Sequence, residues 1–381
     1  MVRAAGGLAP LDIERFWADD ARAHAAPFAA DCPQMPLGIR MAPECIFVEL
    51  GVEPDWRRLW HDDAFWQPLA RRYNDQAERI VGRRLLDEKT NRFQMHRWPE
   101  IRQLHDIFEG RNTWHEESFS YWLHPAAETE DELKALLDRV EQRLENLRAS
   151  LLPPDWDEQK ARLIAERGPI PPYRGQRGPV TFAMSLYGAE KLIFLIMDNP
   201  GLAARYRDVI IRAMLERARI LDEEAGFTPA NAPHGWGWWD DNCALLNAEM
   251  YEFFGWPILQ AMFDRYSPNP GDRRYQHSDS EMAHLLPLLG KLNMTRVNLG
   301  PTISIDEIRA HLPRAIIDGQ LAPFTFSRNE EVNLVAELLR DFEMSRAHRG
   351  VVFTTAGSIN DGSRLSGMRL LMAAIQEYGQ Y

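Results

Sequence analysis

The sequence predicts an α/β fold, a (β/α)8 barrel preceded by an N-terminal extension. Three observations lead there. From about Thr181 onward, short apolar runs alternate with longer helical patterns, the beat of a parallel α/β fold. Polar and aromatic residues cluster where the runs give way to helices. No G-x-G-x-x-G follows a first strand, since Gly175, Gly178 and Gly188 lack that spacing, and a Walker-type phosphate loop is absent. An open doubly wound sheet is the alternative architecture.

Residues 1–95 are less periodic and rich in tryptophan (Trp17, Trp56, Trp60, Trp66), and read as an extension packing across a barrel formed by residues 96–381. Two strand–helix units are expected around Glu100–Ile107 and His115–Leu123, with a helix over Glu130–Ala149 after them. Pro153–Pro154 and Gly168–Pro169–Ile170–Pro171–Pro172 bracket a further helix. Val180–Leu186 reads as a strand, followed by helices around Glu190–Met197 and Leu202–Glu223, an extended run from Gly226–Phe227 to Pro233, and helices from about Leu245 to Arg265. The remaining pairs are Arg274–His277 with a helix over Met282–Leu292, Arg296–Leu299 with Ser304–His311, Gln320–Thr325 with Glu330–Arg346, and Val351–Thr355 with Ser366–Tyr378. Six units after residue 179 and two before it make the eight that close a barrel.

The bulk properties narrow the function. A chain of 381 residues with 45% apolar and 26% charged residues can bury a large core. No apolar run approaches the roughly 18 residues that a membrane span needs, so no membrane partner is expected. A net charge of −12, with arginine pairs only at 71–72, 83–84 and 273–274, argues against nucleic acid. Cys32, Cys45 and Cys243 are odd in number and widely spaced, which suggests neither a disulfide framework nor a Cys-x-x-Cys metal site. The first ten residues lack the pattern of a secretory signal, and the expected location is cytoplasmic.

Side chains at the carboxyl ends of barrel strands converge on one cavity. The strongest candidate is the turn His277–Ser278–Asp279, where a strand ends in an imidazole and a carboxylate just before an apolar helix. A second is His234–Gly235–Trp236–Gly237–Trp238–Trp239–Asp240–Asp241–Asn242, whose three indoles cannot all be buried by one strand face. His277, Asp279, Asp240 and Asp241 are the acid–base candidates for a small-molecule substrate. His234, Trp236, Trp238, Trp239, Tyr187 and Asn298 are expected to line the substrate pocket, with Arg40 or Arg328 holding an anionic group. Two other roles stay open: Asp241, Asp279 or Ser280 as helix caps, and His277, Asp279 and His234 as ligands of a divalent metal.

The order of Gly178–Pro179–Val180–Thr181–Phe182, Asp240–Asp241, Tyr251–Phe253–Phe254, His277–Ser278–Asp279 and Thr355–Ala356–Gly357–Ser358–Ile359 resembles the uroporphyrinogen decarboxylase superfamily, over about residues 45–381. The resemblance implies a (β/α)8 barrel and either decarboxylation or methyl exchange with a corrinoid, which would then be a co-substrate carried by a corrinoid protein. It also implies a homodimer. The departures from the family pattern are informative. The decarboxylase's N-terminal Arg-Gln-Ala-Gly-Arg motif is missing, and its late Gly-His-Gly is replaced by Ala356–Gly357–Ser358. The zinc methyltransferases have His-x-Cys and a later Cys where this chain has His277–Ser278–Asp279 and Ala356 or Gly357. Corrinoid-linked methyl transfer is the leading expectation. A decarboxylase acting on a carboxylated substrate and a non-catalytic corrinoid or tetrapyrrole binder are the alternatives.

Overall fold

The computed structural model describes residues 7–89, 101–118, 120–170 and 174–381. Its helices include α1 (Ile13–Ala25), α2 (Asp63–Val81), α3 (Glu130–Leu144), α4 (Pro179–Tyr187), α5 (Pro200–Glu224), α6 (Gly255–Tyr266), α7 (Glu331–Ser345) and α8 (Leu365–Tyr378). The strands are β1 (Arg111–His115), β2 (Ser120–His124), β3 (Trp236–Trp239), β4 (Arg274–His277), β5 (Arg296–Asn298), β6 (Ile316–Leu321) and β7 (Val351–Thr355). Helix starts follow local chemistry. Asp12, Asp62, Thr129 and Asn199 each accept a backbone amide proton in the first turn that would otherwise have no partner.

The chain divides into two compact units. One comprises Met1–His96, Ser278–Leu286 and Met294–Tyr381. In it β5, β6 and β7 pair in parallel, with Val297 opposite Ile317 and Leu321 opposite Thr355. β7 reads Val-Val-Phe-Thr-Thr because a parallel strand covered on both faces selects apolar and β-branched residues. The N-terminal segment adds to this sheet. Phe353 N–H donates to Pro36 O and Gly38 N–H to Phe353 O, both at 2.8 Å, so residues 36–38 run parallel to β7. A Cβ on Gly38 would fall 2.6 Å from Val352 Cγ1, so glycine is what permits the approach.

The other unit comprises Arg97–His277 and Pro287–Asn293. Its β3 and β4 pair in parallel, with Trp236 opposite Arg274 and Trp239 opposite His277, while β1 and β2 form an antiparallel hairpin. Residues 174–178 flank β3 in the same direction: Arg174 donates to Pro233 O at 2.7 Å, and Gly178 N–H to Trp239 O at 2.8 Å. A buried ion pair between Arg174 and Asp222 at 2.6 Å ties that segment to α5.

Among the described residues five parallel strands form, not the eight expected, although the parallel α/β character holds. Val180–Leu186 is helix α4, because Gly178–Pro179 is a helix start and an apolar run buried all round shows no period. His115–Leu123 runs from the end of β1 into β2 of the antiparallel hairpin and is not a strand–helix unit. In Glu100–Ile107 only Leu104–Ile107 is helical, and Glu100 lies outside the described residues, as do Pro171 and Pro172. The run from Gly226 to Pro233 is turns and loop. The sixth strand begins earlier than expected, at Ile316, and Pro323 opens a short helix at its end. No single helix among the described residues is long and apolar enough to cross a membrane.

The junction of α4 with β3 can be tested through two glycines. A Cβ on Gly178 would lie 2.6 Å from Asp240 Cα, whereas one on Gly175 meets nothing within 4 Å. Gly178→Ala is expected to cost about 1–3 kcal/mol by overpacking, and Gly175→Ala much less, read as urea midpoints. Equal shifts for the two variants would refute this packing.

Candidate functional site

β3 and β4 end side by side, with Asp240 N–H donating to His277 O at 3.1 Å. Strand alternation decides what each residue then faces. Trp236 and Trp238 share one face and are buried, Trp236 stacking on Tyr266 of α6 with ring centroids 5.0 Å apart. They are core residues. Trp239 is on the opposite face with His277, is 46% exposed, and meets Tyr275 edge to face at 6.0 Å. It is the one indole of the three that can meet a ligand.

Asp240 and Asp241 have different surroundings. Asp240 is 0% exposed, and its two oxygens accept the amide protons of Thr181 at 2.7 Å and Val180 at 3.3 Å, in the first turn of α4. Burial raises its pKa from 3.8 to about 6, although the amide hydrogen bonds pull the other way. It anchors a helix, and does not reach solvent. Asp241 is half-buried at the start of a short 3-10 turn, and a carboxylate oxygen of Asp241 lies within 4.8 Å of a ring nitrogen of His277.

His234 stands apart from it. It precedes β3, at the amino end of the strand, where Nδ1 lies 3.1 Å from Asp272 and 2.9 Å from Asn269 Nδ2. His234 therefore does not join His277 in the expected metal grouping; the carboxylate beside the imidazole within this unit is Asp241. Tyr187 is buried in the last turn of α4, and burial raises its pKa, so it packs and does not face a pocket.

In the other unit Asp279 is exposed and accepts the amide proton of Ser358 at 2.8 Å. The loop after β7 can come this close because residue 357 is glycine with φ +90°; a Cβ there would lie 2.2 Å from Asp279 Oδ1. Asn298 is buried and fully used: Nδ2 donates to Asp318 O and Thr355 O at 2.7 and 2.9 Å, and Oδ1 accepts from Gly357 N–H at 3.2 Å. It ties the end of β5 to the middle of β6, the end of β7 and the loop beyond. Arg40 is exposed where the extended 36–38 segment ends beside β7. Arg328 is exposed above the Phe324 ring, 3.9 Å from Glu330.

No family model and no curated protein matches this chain. Among solved structures it is similar to a methyltransferase from Methanosarcina mazei, with a TM-score of 0.58 and 14% identity over 94% of this chain and 98% of that one. At that identity the likeness is one of fold.

Sequence reasoning missed the contributions of backbone and glycine, namely the Ser358 amide and the close approaches at Gly178 and Gly357. The signal available was the pair of glycines itself, one before a proline and one in the last strand's loop, since both are places where a Cβ would be excluded.

The raised pKa of Asp240 fixes a pH dependence. Between pH 3.8 and about 6 the folded protein holds a proton that the unfolded chain has released. The associated stability is complete below that window and is lost as pH rises through it. Relative to Asp240→Asn, the wild-type protein is expected to lose on the order of 2 kcal/mol between pH 4 and 6.5, measured by urea unfolding. A pH-independent difference between the two proteins would refute the assignment.

Proposed function

We propose that this protein is a methyltransferase acting on a small organic substrate, with its reacting groups at the ends of β3 and β4. The observation that carries the reading is the half-buried Asp241–His277 pair, a carboxylate and an imidazole within 4.8 Å at adjacent strand ends. The fold likeness to a methyltransferase over 94% of the chain supports the reaction class. A corrinoid is the methyl carrier that the superfamily resemblance implies.

The donor set also suits a divalent cation. Imidazole and carboxylate are ligands for Zn or Mn. A thiolate-rich site does not fit, because Cys32, Cys45 and Cys243 are all buried, with Cys243 donating to Asp240 O. Asp241 and His277 would hold the cation, which when bound makes an oxygen or nitrogen nucleophile more acidic and so more reactive at neutral pH. The protein's own groups do the rest. Asp241 orients the imidazole, and the exposed face of Trp239 packs against the substrate's apolar or cationic part.

The direct test mixes the purified protein with candidate methyl donors and cob(I)alamin and follows the absorbance of methylcobalamin. Formation with one donor is expected, together with at least a hundredfold loss in His277→Ala, on the scale of removing an acid–base group. Failure with every donor, or carbon dioxide release without corrinoid, would sink the proposal. The metal is tested by calorimetric titration with Zn²⁺ and Mn²⁺. Asp241→Asn and His277→Ala are each expected to weaken binding by more than the roughly 10–100-fold that an outer-shell partner costs, and wild-type affinity in both variants would rule the site out.

A further inference from the structure

A cavity away from the strand ends has no part in the site described so far. It measures about 410 Å³ and is lined by Leu144, Arg212, Leu215, Glu216, Arg219 and Arg265. Positions 212, 215, 216 and 219 share one face of α5, because they recur at the three- and four-residue spacing of helix neighbours. Leu144 is the last residue of α3, and Arg265 stands in the last turn of α6, so the cavity lies where three helices meet. The end of α6 is tied to the start of β3: Gly235 N–H donates to Tyr266 O at 2.6 Å. Arg265 is therefore near the amino end of that strand, whereas Asp241 follows its carboxyl end.

Three guanidinium groups and one carboxylate face this cavity, and they are not equally committed. Arg219 pairs with Glu216 at 2.5 Å and also with Glu223, so it and the cavity's one carboxylate neutralise each other. Arg212 is exposed and meets Glu141 and Glu145 only at 3.7 and 3.8 Å, beyond hydrogen-bond length. Arg265 is half-buried against the Tyr266 ring, 5.0 Å from its centroid, and makes no hydrogen bond or ion pair among the described residues. A helix C-terminus accounts for a cation at position 265. It does not account for a cavity beside that cation with a second guanidinium and two leucines on its wall. A guanidinium has five N–H donors, so Arg212 and Arg265 both have donors left to offer.

We propose that this cavity is a second small-molecule site, which binds an organic anion. The carboxylate or phosphate of the ligand pairs with Arg212 and Arg265, and its apolar body lies on Leu144 and Leu215. The volume suits such a ligand, being within the roughly 300–1,000 Å³ of small-molecule pockets. Carboxylate and phosphate share the feature recognised, two oxygens that match the guanidinium fork, and a lysine cannot reproduce that geometry. The site shares no residue with the one at the β3 and β4 ends and does not depend on the reaction assigned there.

The test titrates the full-length protein with phenyl phosphate, benzoate and the neutral benzamide by isothermal calorimetry. Wild type is expected to bind at least one anion more tightly than benzamide by about tenfold or more, and the anion preferred identifies the group. Arg212→Gln and Arg265→Gln should each weaken that anion by about tenfold and leave benzamide within about twofold, while Arg265→Lys should keep only part of the preference. Arg212 is exposed, so an unchanged melting temperature for Arg212→Gln is expected and would show that the loss is one of binding and not of folding. His277→Ala should bind all three probes as wild type does, which separates this site from the methyl-transfer reading. Equal affinities of wild type for the three probes, an anion preference that survives either arginine-to-glutamine change, or its loss in His277→Ala would overturn the proposal.

Discussion

The carboxylate of Asp240 is the fixed point from which the β3 end of this protein is built. Fully buried, it receives the first amides of α4, while its own amide is bonded to His277 at the end of β4. One residue thus sets where a helix starts and where two strands stop. The cost of burying a carboxylate is offset only in part by hydrogen bonds to the helix amides and by the positive end of the helix dipole, which is why its pKa stays raised. The residue after such an anchor has little freedom, which is why Asp241 stays half-buried next to the imidazole.

Asn298 has the corresponding role among β5, β6 and β7. Its amide and carbonyl bond backbone atoms from β6, the end of β7 and the loop beyond. Both devices are short polar side chains that leave no strand end to drift. A site built on such ends keeps its geometry without a ligand, as pre-organised binding requires.

Much of this was legible in the sequence, and the misreadings have physical causes. The His277–Ser278–Asp279 turn could be found because a polar pair interrupts an apolar pattern where a strand meets a helix. The tryptophan run showed that one indole had to be exposed; which one depends on where the strand begins, and strand ends are set by pairing, which is not local. The same uncertainty misplaced His234, which lies before β3 and not after it. Val180–Leu186 was read as a strand because a segment buried on every side has no polar face to reveal its period. Asn298 looked like a ligand contact because sequence shows a polar residue at a strand end and not the backbone groups that consume it.

The amide of Ser358 has a consequence for what residue 279 can be. It occupies Oδ1 of Asp279, so this exposed carboxylate is committed to a backbone group. A side chain without an acceptor at that position would leave the amide to water and release the loop after β7 from the turn that follows β4. The path of that loop is thus written in a side chain outside it, and in the glycine at 357 that lets the loop come near.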